Sequence, residues 1–475
     1  MESDANDDIQ LFEKQKRIYP KRVSGLYRNL KWVAMVVCLA IYYLVPFIRW
    51  DRGPTAPDQA VLIDLERGRA YWFWIEIWPQ EIYILAGILI LAAVGLFFIT
   101  SLLGRVWCGY LCFQTVWTDL FIWVERIVQG DRNQRKKLRE GPWTKEKFIK
   151  LSITHIIWLI IAWCTAGSFI LYFNDAPTIV KDFLSFDVSP VVLGFVVSLT
   201  FMTYLMAGFA REQVCTYMCP YARFQSAMFD KDTLIIGYDE KRGEPRGKHK
   251  KGADWSGLGD CINCSACVNV CPTGIDIRDG LQMECIACGL CADACDEIMD
   301  KVGLPRGLVR YDTERRLEEK SQGLPVSKLR IIRPRTIYYT VILSIVGALM
   351  LYALINRPLL ELNVLHDRNP LFVQLSNGDI RNGYDIKILN KTHHDHRYTL
   401  SVKGLDSAKI TMVGAGQIDA AKIAVAADSV GQNKVFVHAP VAKQAPIEIT
   451  FTIEDINTGL SAEYKTMFIS KKPHG

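Results

Sequence analysis

Two runs of one pattern, CINCSACVNVCP at residues 261–272 and CIACGLCADACD at residues 285–296, decide how the rest of the chain is read. Each spells Cys-x2-Cys-x2-Cys-x3-Cys, and together they take eight of the fourteen cysteines. Two intervening residues make a turn tight enough to point successive sulfurs at adjacent corners of a cube. The small residues Ser265, Ala266, Ala287 and Gly289 let those turns close. Zinc ribbons space two Cys-x2-Cys pairs by a longer loop. Four thiols in eleven residues read instead as iron–sulfur ligands.

In such double runs three thiolates serve one four-iron cluster and the fourth crosses to the other. The expected sets are Cys261, Cys264, Cys267 and Cys295 for one [4Fe-4S] cluster, and Cys285, Cys288, Cys291 and Cys271 for a second. Pro272 stops the chain after the first copy. Asp296 stands there in the second, where it either weakens the turn or adds negative charge.

Outward from this cassette, the composition is mixed: 22% of residues are charged, yet the mean hydropathy is +0.11, which means apolar blocks between polar ones. A formal charge of +6 over 475 residues gives no argument for nucleic acid. All fourteen cysteines lie between Cys38 and Cys295. Clusters need free thiolates, so this part is expected in a reducing compartment. Residues 1–8 are acidic and the first apolar run follows Lys31, so no cleavable leader is expected.

Five runs are long enough to span a bilayer of about 30 Å at about 1.5 Å per residue: Trp32 to Ile48, Ile82 to Leu103, Ser152 to Phe173, Val191 to Ala210 and Thr336 to Ile355. Lys and Arg crowd the segment before the first span and the loop after the second, whereas the loop between the third and fourth offers only Lys181. By the positive-inside rule the N-terminus is cytoplasmic. Five spans then put the cassette in the cytoplasm and everything after about Asn356 outside, in agreement with a tail free of cysteine. Tyr71, Trp72, Phe73, Trp74 and Trp78 in the first external loop read as an interfacial belt. The basic connector Lys241 to Lys251, beside a membrane, reads as attracted to anionic lipid headgroups.

An internal repeat follows spans two and four. Arg105-Val-Trp-Cys108-Gly-Tyr110-Leu-Cys112-Phe-Gln114 is matched by Arg211-Glu-Gln-Val-Cys215-Thr-Tyr217-Met-Cys219-Pro220, running on to Gln225. Both hold Cys-x-Tyr-x-Cys after an arginine. On a helix, cysteines four apart share one face, so each copy offers two soft ligands, and the pair is a candidate thiolate site for copper. Cys38 and Cys164, alone in spans, read as small buried hydrophobes. His155 is ionisable within a span and a site candidate by default, but no second span histidine exists to complete a haem, so it reads as a satisfied core residue. The final 120 or so residues alternate in short runs, including Asp385 to Leu389, Arg397 to Val402, Lys434 to His438, Ile447 to Ile453 and Tyr464 to Ile469, which predicts an immunoglobulin-like sandwich. His393, His394, Asp395 and His396 fall in a hairpin turn and read as solvated rather than metal-binding.

The resulting fold class is a multi-domain membrane protein. Residues 1–31 form a cytoplasmic segment, 32–229 a four-span α-helical domain, 230–335 a cytoplasmic ferredoxin-like α+β domain, 336–355 the fifth span and 356–475 a periplasmic immunoglobulin-like β-sandwich. The paired motifs, the double ferredoxin run and the exported β-domain together resemble the cytochrome c oxidase accessory protein family (CcoG, also called FixG or RdxA). The resemblance covers nearly the whole chain and is most specific at Arg105 to Gln114 and Arg211 to Gln225. It implies a bacterial inner-membrane protein that helps assemble cbb-type haem–copper oxidase by reducing Cu(II) to Cu(I), with oxidase subunits or copper-delivery proteins, an electron donor and membrane lipid as partners. Giving the copper to Cys108, Cys112, Cys215 and Cys219 is an inference from their softness. The membrane half also resembles quinol-dehydrogenase subunits of periplasmic nitrate reductase systems, which lack the β-domain. A quinol-linked conduit and an assembly scaffold with structural clusters therefore stay open, as does a homodimer.

Overall fold

Five helices are long and apolar enough to cross a membrane: Leu26–Phe47, Pro79–Leu103, Lys145–Ile170, Pro190–Ala210 and Pro334–Ile355. These are the segments expected from hydropathy with shifted ends. The third begins at Lys145 rather than Ser152 because Thr144 caps it, its side chain accepting from the Lys147 amide at 3.2 Å. In this computed structural model the described residues are 17–248, 257–405, 408–413, 416–417, 421–440 and 446–470. The acidic first residues and the Lys250–Lys251 end of the basic connector lie outside them.

Residues 1–48 with 60–350 form one compact unit, and 49–59 with 351–475 a second. In the first unit the span-bearing and cysteine-rich segments pack together. The first spanning helix starts at Gly25, which has no side-chain cap of its own. Its orphan amides are met by Asp293 of the cysteine-rich segment, which accepts from Tyr27 N at 3.2 Å and Arg28 N at 2.7 Å. A Cβ at Gly25 would run into that carboxylate. Between the first two spans Val61–Asp64, Arg69–Trp72 and Ile75–Ile77 make a small antiparallel sheet. This corrects the interfacial-belt reading for two of its aromatics. Tyr71 and Trp78 are buried, Trp78 beneath the Arg69 guanidinium at 3.6 Å, while Trp74 stays exposed.

The cysteine-rich segment is α+β. Strands Leu234–Tyr238 and Val309–Thr313 pair antiparallel and flank the helices Ala266–Val270 and Leu290–Val302. Asp296 adds the negative charge expected of it, which helps raise the neighbouring Cys295 thiol, but it does not weaken a turn. Where the first copy's helix stops at Val270, the second runs on through Cys295 to Val302, so a proline there would break it. Asp296 Oδ1 instead accepts from the Gly307 amide at 2.8 Å and fixes the returning loop.

The second unit is a two-sheet sandwich. One sheet centres on Ile380–Asn390 paired with Ser429–Ala439, and the other on Ile447–Asp455 between His396–Lys403 and Ser461–Phe468. Alternate residues from both sheets, among them Ile386, Ile388, Val435, Val437, Phe451 and Phe468, are fully buried. Each contributes about 1.5–3 kcal/mol by leaving water.

Candidate metal centre

The cluster loops are shaped by residues in the left-handed region between the cysteines. Asn263, Ser265 and Ala287 all have positive φ, at 57°, 54° and 51°, which turns the chain sharply enough for neighbouring sulfurs to converge. A cavity is lined by Cys267, Cys271, Cys285, Cys288 and Cys291 together with Ile275 and Ile277. Burial pushes the Cys285 and Cys295 thiols up to about 12 and Cys267 to about 11. Each is also raised by its neighbours. Cys295 feels Cys267 and Cys264, whereas Cys291 feels Cys288, Cys285 and Cys271 most strongly. The structure thus brings Cys295 to the first run and Cys271 to the second. Thiols this dry give up their protons to a metal that replaces them. Among the described residues no three His, Cys, Asp or Glu groups converge closely enough for a single ion. The all-thiol donor set, buried or half-buried apart from exposed Cys264, fits four-iron chemistry.

The repeated motifs lie against this cassette. Helix Val106–Tyr110 packs so closely on it that a Cβ at Gly109 would sit 2.7 Å from Ile286 O and 3.0 Å from Ala287 O. Tyr110 Oη donates to Cys288 O at 2.9 Å, and Arg105 reaches the carbonyls of Met283 and, at 2.8 Å, Ala222. Cys108 packs in the same apolar cluster as Cys288 and Cys291. Cys215 shares a small cavity of about 30 Å³ with Glu212, Thr115, Pro272 and Thr273. The two motifs are close to one another. Burial pushes Cys215 up to about 12 with Cys112, Cys108 and Cys219 adding to it, and Cys108 to about 11. Gln225, fully buried, donates from Nε2 to Cys108 Sγ at 3.2 Å. The sequence quotes that glutamine only as the end of a motif, and only folding reveals its partner.

In one respect the motif geometry departs from expectation. The cysteines of each pair do not share one face of a continuous helix. The helix Val106–Tyr110 ends first, and Cys112 takes extended angles ahead of Phe113–Gln129. Likewise a π-helical turn Val214–Met218 ends before extended Cys219 opens Pro220–Met228. The two tyrosines also differ, since Tyr217 is 69% exposed where Tyr110 is engaged.

Beside the thiols lies a buried charge cluster. Glu125 takes Arg211 at 2.6 Å, Arg135 at 2.9 Å and Arg17 at 3.2 Å, and Asp119 takes Arg28 at 2.9 Å and Lys31 at 3.9 Å. Of these basic groups, the sequence used Arg17, Arg28, Lys31 and Arg135 only to orient the chain; in the fold they brace it. The remaining candidates have structural roles. His155 Nδ1 meets Tyr204 Oη at 2.9 Å and its ring stacks on Phe209. Cys38 packs in a core cluster, whereas Cys164 is exposed and so departs from the buried reading. Asp395 caps the Ala427 amide at 2.8 Å, and His396 pairs with Asp455 at 2.7 Å.

Three family models match the chain: a 4Fe-4S binding domain over residues 85–130, a 4Fe-4S dicluster domain over 210–314, and the IG-like fold at the C-terminus of FixG over 350–471. The chain is 45% identical over 472 residues to the nitrogen fixation protein FixG of Rhizobium meliloti, covering 93% of this chain and 90% of that one. It is 46% identical to the protein RdxB of Cereibacter sphaeroides, covering 98% and 99%, and 45% identical to RdxA of the same organism, covering 90% and 91%.

Proposed function

The chain belongs to the FixG family of iron–sulfur proteins, and from that premise we propose that it is a membrane electron-transfer protein that reduces Cu(II) to Cu(I) for assembly of a cbb-type haem–copper oxidase. In this reading the five apolar helices cross the inner membrane, the N-terminus and clusters face the cytoplasm, and the sandwich faces the periplasm. Cys261, Cys264, Cys267 and Cys295 hold one four-iron cluster, and Cys285, Cys288, Cys291 and Cys271 the other. The observation that carries the proposal is that Cys108 packs against the buried apolar cluster that contains Cys288 and that Cys291 also borders, which puts the first repeated motif beside the cluster ligands.

When bound, such clusters supply single electrons, and cupric reduction consumes one. The chain's own residues do the rest. Cys108, Cys112, Cys215 and Cys219 offer soft sulfur, which favours the cuprous product. Gln225 orients the Cys108 sulfur, while Arg105 and Tyr110 hold the cluster loop against the motif. All four cysteines are half-buried, which leaves them reachable by a copper ion.

Anaerobically reduced protein should turn over Cu(II), and iron analysis with electron paramagnetic resonance should count two clusters. Changing Cys108, Cys112, Cys215 and Cys219 together to Ser should abolish turnover with both clusters retained. An unchanged rate in that variant sinks the assignment of copper to these thiols.

A further inference from the structure

Between the spanning helices Lys145–Ile170 and Pro190–Ala210 and the start of Phe113–Gln129 lies a cavity of about 360 Å³. Its size falls within the range of small-molecule sites. The walls are apolar and ringed by Tyr42, Phe113, Trp117 and Phe169. Most polar groups there are already committed. Trp117 Nε1 donates to Thr165 Oγ1 at 2.8 Å, and Tyr42 Oη to Thr165 O at 2.8 Å.

Two polar side chains are placed to meet an occupant, Thr203 and Gln114. The Gln114 amide nitrogen is engaged by Met206 O at 2.9 Å, with Arg211 O and Thr118 Oγ1 each at 3.2 Å. Its carbonyl oxygen, an acceptor, has no hydrogen-bond partner among the described residues, on a side chain that lines both this cavity and the one of about 30 Å³ beside Cys215. Met206 and Ala207 of the lining belong to a π-helical turn, Met206–Ala210, a deformation found disproportionately at functional sites. Phe113 and Gln114 directly follow Cys112.

We propose that this cavity binds an isoprenoid quinol, the electron donor to the centre described above. The proposal rests on the electron-transfer reading and supplies the reductant that reading leaves open. A lipid acyl chain would fill the apolar walls but would use neither the acceptor at Gln114 nor the hydroxyl of Thr203. A quinol ring can stack on the aromatic faces and donate a hydroxyl to Gln114 Oε1, on the segment that directly follows Cys112. Oxidation of one quinol to the quinone releases two protons to water and two electrons, which two single-electron acceptors can take in turn.

The test uses the full-length protein in lipid nanodiscs and an azido-substituted short-chain ubiquinone as photoaffinity probe. The expected result is a label on the segments carrying Trp117, Thr165 or Thr203, displaced by unlabelled short-chain ubiquinone. Thr203→Phe, which fills the cavity, should weaken probe binding at least tenfold, and Thr203→Val, which keeps its volume, should weaken it severalfold. Label elsewhere, binding by Thr203→Phe equal to that of the parent, or a phospholipid in the cavity that the quinone does not displace would each overturn the proposal. Dithionite bypasses the cavity. A redox-inert quinone analogue should therefore block quinol-driven Cu(II) reduction by the parent and leave unchanged the reduction by parent protein pre-reduced with dithionite and freed of the excess. If the parent itself fails with dithionite, the copper reading is lost and the binding result stands on its own.

Discussion

The contact between the first repeated motif and the cluster loop predicts a large effect from one methyl group. In Gly109→Ala the new Cβ would lie 2.7 Å from Ile286 O, 3.0 Å from Ala287 O and 3.1 Å from Cys288 Cα. Non-bonded heavy atoms rest at about 3.5–4.0 Å, so the loop must recede by roughly half an ångström or more. Its neighbours are backbone atoms, which cannot rotate aside as a side chain would. Overpacking of this kind costs about 1–3 kcal/mol. Replacing glycine in a helix returns about 0.5–1 kcal/mol, leaving about 0–2.5 kcal/mol, centred near about 1.3 kcal/mol, against the docked arrangement. The central value is a factor of about 10 in its population. Hydrogen exchange of the amides around residues 286–288 should quicken accordingly, and electron transfer from reduced clusters to Cu(II), followed by stopped flow, should slow. Gly167→Ala is the control, because nothing lies within 4 Å of its added Cβ. Gly109→Ala with parental exchange protection and parental transfer rate would refute the close-docking argument.

Three further outcomes are expected. Glu125→Ala strands Arg135 and Arg211, both buried, and should lower stability by about 3–5 kcal/mol, read as a fall in the thermal midpoint in detergent; a midpoint equal to that of the parent contradicts the bracing role. Asp293→Ala removes the acceptor for Tyr27 N and Arg28 N and should cost about 0.5–2 kcal/mol, with faster exchange confined to the start of the first spanning helix. In the sandwich, Asn382 is fully buried and exchanges two hydrogen bonds with Ile469, at 2.9 and 3.0 Å. Asn382→Ala should cost about 1–3 kcal/mol for each backbone group left unmet, measurable by chemical denaturation, without changing cluster content.

Much of the framework was legible because it is written in local periodicity. The apolar runs mark the five helices, and alternation marks the strand pairs of the sandwich. The cysteine spacing names the cofactor chemistry, and the family models agree. What stayed hidden depends on contacts distant in sequence. Asp293 caps a helix more than 260 positions earlier, and no local rule pairs them. Asp296 looked like a missing proline because the sequence does not say that its helix continues through Cys295. The i, i+4 reading of the thiol pairs failed for a related reason. Spacing gives the period of a helix but not where it ends, and both helices end inside the motif.

The two repeats also show how an inherited pattern divides its tasks. Matched on their cysteines, Gly104 stands opposite Arg211, and Arg105 opposite Glu212, so the two arginines that look equivalent are not. The backbones agree with this register: Gly104 has φ 60° and ψ −129°, Arg211 φ 44° and ψ −114°. Glycine accepts that conformation freely, and at Gly104 a Cβ would strike Leu234 O. An arginine there costs about 1–3 kcal/mol. That cost is offset by the ion pair with Glu125 and by the hydrogen bond from Arg211 Nε to Gly208 O at 2.8 Å. Glycine opposite Thr216 shows the reverse choice, since Gly109 is needed for contact with the cluster loop, whereas Thr216 turns its hydroxyl back to Glu212 O at 2.9 Å. The first copy is therefore specialised to dock the clusters through Gly109 and Tyr110. The second anchors the bundle through Arg211 and leaves Tyr217 outside. One copy is tied to the clusters and the other to the buried charges, so losing either tie should separate the two motifs even with every cysteine intact.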